Sequence, residues 1–120
     1  MIRFIASLGY ACSGIYQAVR SQRHMRIHCV AVAIVVATGL VLSLNVMEWA
    51  VLSLTMALVI SLELVNTAIE HVVDLASPER RPLAKAAKDT AAGAVLAAAV
   101  FAVIVGLLIL GPPLVQLIFG

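Results

Sequence analysis

Charge is scarce in this chain. Only 12% of its 120 residues are Asp, Glu, Lys or Arg, and only 5% are aromatic. A soluble domain carries about 25% charge and about 45–50% apolar residues. Here the apolar share is 63% and the mean hydropathy is +1.12, which excludes an ordinary water-soluble domain. The net charge is +2, and no basic stripe interleaved with aromatics occurs, so no nucleic-acid partner is expected. Cys12 and Cys29 have neither CxxC spacing nor convergent histidines. That argues against a zinc centre and leaves both as small apolar filler. After Arg3 there is no continuous apolar core with a cleavage site, so no cleaved signal is expected.

What the chain has instead is long apolar runs. A chain of this length normally forms one domain, and a membrane-spanning helix needs ~20 apolar residues. Span one is expected at about 29–47, without charge and rich in Val, Ala and Leu. Glu48 and Trp49 follow as a turn at the far interface, where Trp is favoured. Span two is expected at 50–76. It is apolar to Leu62, then takes in Glu63, Asn66, Thr67, Glu70, His71 and Asp74. Ser77-Pro78 stops it, because proline restricts its own backbone and that of the residue before it. Residues 77–90 read as a polar connection. Span three is expected at 91–110, ended by Gly111-Pro112-Pro113, with a short apolar tail beyond.

Ahead of the spans, Phe4, Ile5, Leu8, Cys12, Ile15, Tyr16 and Val19 recur at helical spacing. Residues 1–26 therefore read as an amphipathic helix, and two placements are open: in the membrane surface or packed against other protein. The basic residues fix a topology. All eight fall in two places: Arg3, Arg20, Arg23 and Arg26 before span one, and Arg80, Arg81, Lys85 and Lys88 between spans two and three. The positive-inside rule puts both stretches, and the N-terminus, in the cytoplasm, with the C-terminus outside a bacterial inner membrane. The fold class expected is all-α integral membrane.

Chemistry concentrates on span two. At ~100° per residue, Glu63, Asn66, Glu70 and Asp74 share one helix face. Ionisable groups in a span are costly and mark function. Glu70 and Asp74 fall near the cytoplasmic boundary, within reach of water and nucleotide. Glu63 lies ~10 Å deeper at ~1.5 Å per residue, where the hydroxyl of a membrane-anchored lipid can meet it. Carboxylates at the boundary suit Mg²⁺, a hard cation that bridges protein to phosphates. Lys88 and Asp89 stand ahead of span three, where a lysine and free N–H groups favour phosphate, although a juxtamembrane lysine is more often a topology signal. Arg80 and Arg81 also suit anionic lipid. Three spans are too few to shield the Glu63 stripe, so a neighbouring subunit is expected to cover it. Small residues at Ala91, Gly93, Ala94, Ala98, Ala102 and Gly106 permit close helix packing. His24, His28 and His71 read as interface residues, and Trp49 as an interface anchor.

Two segments resemble a known family. The run from Glu63 to Asp74 (ELVNTAIEHVVD) and the run from Pro82 to Leu96 (PLAKAAKDTAAGAVL) are similar to the prokaryotic diacylglycerol kinase family, which includes undecaprenol kinases. The resemblance extends from about Arg3 to span three. It implies a homotrimer of small three-span subunits, each with an N-terminal surface helix, sharing active sites between neighbours at the cytoplasmic interface. The implied activity is Mg·ATP-dependent phosphorylation of a membrane lipid alcohol by one membrane-embedded domain, residues 1–120. By resemblance Glu63 is the general base and Asn66 positions the reacting groups. Glu70 ligates Mg²⁺ beside the ATP phosphates, with Asp74 in support. Lys88 and Asp89 hold nucleotide, Glu79, Arg80 and Arg81 match the ATP-contacting loop, and Arg3 and Tyr10 match N-terminal contacts to nucleotide or substrate.

One position departs from the pattern. Gln22 stands where the family usually has a metal-ligating Glu, and its neutral carbonyl oxygen should hold Mg²⁺ less tightly. Either activity is weak, or Glu70 and the triphosphate suffice, or the site is altered. Thr67, Ala68, Leu75 and the run from Pro82 to Leu96 look closer to the undecaprenol branch, with diacylglycerol the near alternative. No GxxxxGK[ST] or glycine-rich kinase loop is present, but phosphoryl transfer needs mainly positioning, charge neutralisation and a base. Two other classes remain: a catalytically impaired lipid- or nucleotide-binding scaffold, suggested by Gln22, and a proton- or cation-coupled transporter subunit using Glu63 and Glu70.

Overall fold

Four helices and no strands make up the computed structural model, which describes residues 1–120: α1 Ile2–Ser21, α2 Arg23–Leu42, α3 Val46–Ala76 and α4 Pro82–Phe119. The apolar runs set this plan, since α2, α3 and α4 are each long and apolar enough to cross a membrane. Only 11 of 120 residues are buried within the chain. Large apolar side chains such as Leu40, Leu54, Leu58, Phe101 and Leu107 face outward. A surface so apolar is incompatible with water on every side.

The helix ends differ from the expected spans, each for a local reason. The helix expected over 1–26 breaks at Gln22, whose extended backbone (φ −103°, ψ 117°) separates α1 from α2. Arg26 folds back so that its guanidinium donates to the Arg20 carbonyl at 2.7 Å. A cation thus satisfies an orphan acceptor at the C-terminal end of α1, and Arg23 to Arg26 begin α2. The first span, expected to reach residue 47, stops at Leu42. Ser43 takes a left-handed conformation (φ 54°), and Asn45 then caps α3. The Glu48 N–H donates to Asn45 Oδ1 at 2.8 Å, and the Asn45 N–H to Glu48 Oε1 at 3.1 Å. This reciprocal box satisfies two backbone donors, so Glu48 is part of the first turn of α3.

The polar connection is also shorter than expected. Only residues 77–81 lie outside helix, because Pro82 starts α4. Proline suits that position, where its missing N–H would have had no partner. At the other end, α4 does not stop at Gly111-Pro112-Pro113 but runs through both prolines to Phe119. A proline inside a helix costs ~3 kcal/mol. Unwinding among apolar side chains would instead expose several unpaired backbone groups, each costing several kcal/mol in lipid. With 38 residues, α4 is ~57 Å long at ~1.5 Å per residue, matching the longest dimension of the molecule, 58 Å.

The α3–α4 pair is the most extensive contact, with α2 beside α3 and α1 touching both α2 and α3. Ala91, Val95 and Ala98 form the buried face of α4. Gly93 and Gly106 face open space, so only part of the small-residue series serves packing inside one chain. Where α2 meets α3 the fit is tight. A Cβ on Gly39 would lie 2.7 Å from Trp49 Cη2. Trp49 is thus half-buried against Gly39, which accounts for its position by packing. We expect Gly39→Val to destabilise the protein by ~1–3 kcal/mol through overpacking. Thermal unfolding in detergent checks this, and Trp49→Leu in the same chain should recover most of the loss.

Candidate active site

Two polar groupings lie along α3. The deeper one is built on Glu63, Asn66 and Thr67, all buried where the apolar first half of α3 gives way to its polar second half. Glu63 is only 3% exposed and Asn66 8%. The Thr67 hydroxyl donates to the Glu63 carbonyl at 3.0 Å, so it is satisfied by its own helix. Asn66 Oδ1 is buried with no hydrogen-bond partner. A buried orphan acceptor costs ~1–3 kcal/mol unless something arrives to pair with it. Across the helix pair, His28 Nε2 of α2 stands 3.8 Å from Glu63 Oε2. Sequence reasoning left His28 as an interface residue.

One chain buries the deep part of the stripe, Glu63 and Asn66, while Glu70 on the same face is half-buried and Asp74 exposed. At the joint of α1 and α2, Ala18 and Met25 are buried, and α1 reaches α3 as well as α2.

The second grouping lies nearer the α3–α4 connection. A cavity of about 600 Å³ is lined by Asp74, Glu79, Arg80, Arg81, Lys85, Lys88 and Asp89, with Ser77 and the prolines at its edge. Within it, Lys88 pairs with Asp74 across the two helices. Lys85 pairs with Asp89 at 2.5 Å, one turn apart on α4, and Arg81 with Glu79 at 3.3 Å. Every one of these groups is substantially exposed, so each pair is weak and readily exchanged for a stronger anion. The start of α4 adds free backbone N–H groups of the kind that favour phosphate.

The remaining candidates do not converge with these. Glu70 is half-buried on α3, between the two groupings in sequence, and lines neither side of the cavity. Arg3 and Tyr10 are exposed on α1, and Gln22 is half-buried at the α1–α2 joint; none of the three lines the cavity. No group of three or more His, Cys, Asp or Glu side chains converges as a metal cage. Glu70 has Asp74 one turn further along the same helix and no third such group converging on it. That donor set fits a Mg²⁺ ion arriving with phosphates, which uses one or two protein carboxylates and completes its shell elsewhere.

Three apolar helices, a buried carboxylate and a cation-lined cavity at one end define a small membrane-embedded enzyme. Its relatives place it more closely. The prokaryotic diacylglycerol kinase profile matches residues 9–110, and the chain belongs to this family of lipid kinases. It is 46% identical over 112 residues to an undecaprenol kinase of Bacillus subtilis, covering 93% of this chain and 91% of that protein. With a diacylglycerol kinase of Synechocystis it shares 48% identity over 114 residues, 94% of this chain but 65% of the relative, a little under two thirds of its length. A diacylglycerol kinase of Escherichia coli is 34% identical over 102 residues, 85% of this chain and 84% of that protein.

Proposed function

We propose that residues 1–120 form a single domain that transfers the γ-phosphoryl group of Mg·ATP to a membrane lipid alcohol at the cytoplasmic face of a bacterial inner membrane. The observation that carries this reading is the buried Glu63, with Asn66 beside it, on the same helix that leads to the cavity of Lys88 and Asp89. Glu63 takes the proton of the lipid hydroxyl, and Asn66 Oδ1, otherwise unpaired, positions the reacting groups. Lys88 and Asp89 receive the nucleotide: Lys88 leaves Asp74 for a phosphate oxygen, a charge-assisted bond stronger than an exposed side-chain pair. Asp74 then steadies the site. Glu79, Arg80 and Arg81 close over the nucleotide from the α3–α4 connection. Glu70 holds the Mg²⁺ that comes with ATP, whose charge neutralises the triphosphate during transfer.

Arg3, Tyr10 and Gln22 belong to α1 and its joint, away from the cavity of their own chain. A homotrimer, with each site shared between neighbours, gives them a role by bringing the α1 region of one subunit to the cavity of the next. In that assembly α1 lies in the membrane surface with Phe4, Ile5 and Leu8 toward lipid. Undecaprenol is the favoured substrate over diacylglycerol, supported by Thr67, Ala68, Leu75 and the run from Pro82 to Leu96.

Reconstitution in bilayers with ATP, Mg²⁺ and either undecaprenol or diacylglycerol tests the reading by following phosphorylated lipid. Product from undecaprenol supports it, and product from diacylglycerol alone reverses the substrate preference. No product from either, with ATP still bound, favours a lipid- and nucleotide-binding scaffold, which Gln22 makes the second reading. Gln22→Glu sharpens the choice. A carboxylate there should hold Mg²⁺ more tightly and raise kcat/KM roughly tenfold at limiting Mg²⁺. An unchanged Mg²⁺ dependence would mean that Glu70 and the triphosphate suffice.

A further inference from the structure

One basic side chain faces Glu63, and it is neither lysine nor arginine: His28 Nε2 lies 3.8 Å from Glu63 Oε2. That distance is too long for a direct hydrogen bond. Both side chains are largely enclosed, at 19% and 4% exposure, so the gap between them is not open water. His28 also lines one end of an apolar groove bounded by α2, α3 and α4, with Thr38, Leu52, Val59 and Ala102 among its walls. Its ring is therefore reachable from the apolar side of the helices, the side a lipid alcohol would use.

A single oxygen set to one side of the line between the two atoms can reach both. An oxygen atom can stand ~2.8 Å from both nitrogen and carboxylate oxygen when these are 3.8 Å apart. A hydroxyl is both donor and acceptor, so it matches a carboxylate acceptor facing an imidazole N–H donor. Asn66 Oδ1, another unpaired polar atom on α3, is an acceptor.

We propose that His28 and Glu63 form a two-sided clamp for the substrate hydroxyl, with His28 Nε2–H donating to the oxygen that Glu63 deprotonates. This rests on Glu63 being the base. In the step, the O–H bond breaks and its proton passes to Glu63. The freed oxygen, held in line by His28, bonds to the γ-phosphorus of ATP. The bond from that phosphorus to the bridging oxygen breaks, and ADP leaves. His28 donates to one lone pair of the oxygen and so leaves another to attack, which makes it a catalytic residue for the alcohol and not for the nucleotide.

The test uses the full chain in bilayers with undecaprenol and Mg·ATP. His28→Leu should lower kcat/KM for the alcohol roughly 10- to 100-fold, the worth of one hydrogen bond to an ionising group, with KM for ATP unchanged. His28→Gln, whose amide N–H reaches a similar point, should recover most of the loss; a packing role for the ring would show no such recovery. Equal rates for wild type, His28→Leu and His28→Gln would overturn the clamp alone. A wild type that phosphorylates no lipid would overturn the kinase reading and the clamp with it. A second measurement needs no variant. The methyl ether of the alcohol keeps the acceptor for His28 and loses the proton for Glu63, so it should inhibit wild type better than the same chain without oxygen. Equal inhibition by the two would also defeat the proposal.

Discussion

Glu63→Gln is expected to lower lipid phosphorylation by ~10²–10⁴-fold, the usual contribution of a positioned general base, while ATP remains bound. Gln keeps the size and the hydrogen-bonding reach of Glu and removes only the ability to take a proton. Because Glu63 is buried, a replacement of similar volume should leave the fold intact, whereas Glu63→Leu would add a packing change and blur the result. Turnover of [γ-³²P]ATP into lipid, beside equilibrium nucleotide binding on the same preparation, separates the two effects. Retention of more than about a tenth of the wild-type rate would remove Glu63 from the base role.

Glu70→Gln should give the second-largest loss, of a different kind. Glu70 is the carboxylate between the buried pair and the cavity, with Asp74 one turn further along and no third such group converging on it. Its removal should cost roughly 100-fold in kcat/KM for Mg·ATP, or ~2.7 kcal/mol at ~1.36 kcal/mol per tenfold. The half-saturating Mg²⁺ concentration should rise, and KM for the lipid should not. With Gln already at position 22, no second carboxylate is available from the α1–α2 joint. Gln22→Glu combined with Glu70→Gln should therefore recover part of the Mg²⁺ affinity that Glu70→Gln loses. Loss of rate with an unchanged Mg²⁺ requirement would take Glu70 out of metal binding and make it a positioning group.

Much of the fold was legible because lipid imposes it. Uncharged runs on each side of Glu48 could only be apolar helices, and the carboxylates of α3 stand out because they continue a helix whose immediately preceding turns carry no charge. The helix ends were not legible, since they depend on contacts between residues distant in pattern. Arg26 capping Arg20, Asn45 boxed with Glu48, and Trp49 seated on Gly39 leave no periodic signal. Pro112 and Pro113 misled for an instructive reason: rules drawn from water-soluble helices assume that freed carbonyls find water.

In the site, the polar face of α3 was readable at ~100° per residue, but its burial and its partner were not. A depth count would have found His28. It lies fourteen residues before the end of α2 and Glu63 seventeen after the start of α3. These are comparable heights, ~21 and ~25 Å above the turn that joins the two helices. An ionisable side chain inside an apolar helix, level with a carboxylate on the next, is a pair to examine.

The unbroken run of α4 has a mechanical consequence. A rod of ~57 Å is nearly twice the ~30 Å of a hydrocarbon layer, so it reaches past the layer at one end or both, or leans. Lys88 and Asp89 ride on one end of that rod, and Leu114 to Phe119 sit in its other end. Acyl-chain length in the surrounding lipid sets the lean of such a helix. Thinner membranes should swing Lys88 sideways relative to Asp74 on the neighbouring helix, so membrane thickness becomes a tuning input to the nucleotide end of the protein, delivered through a single stiff strut.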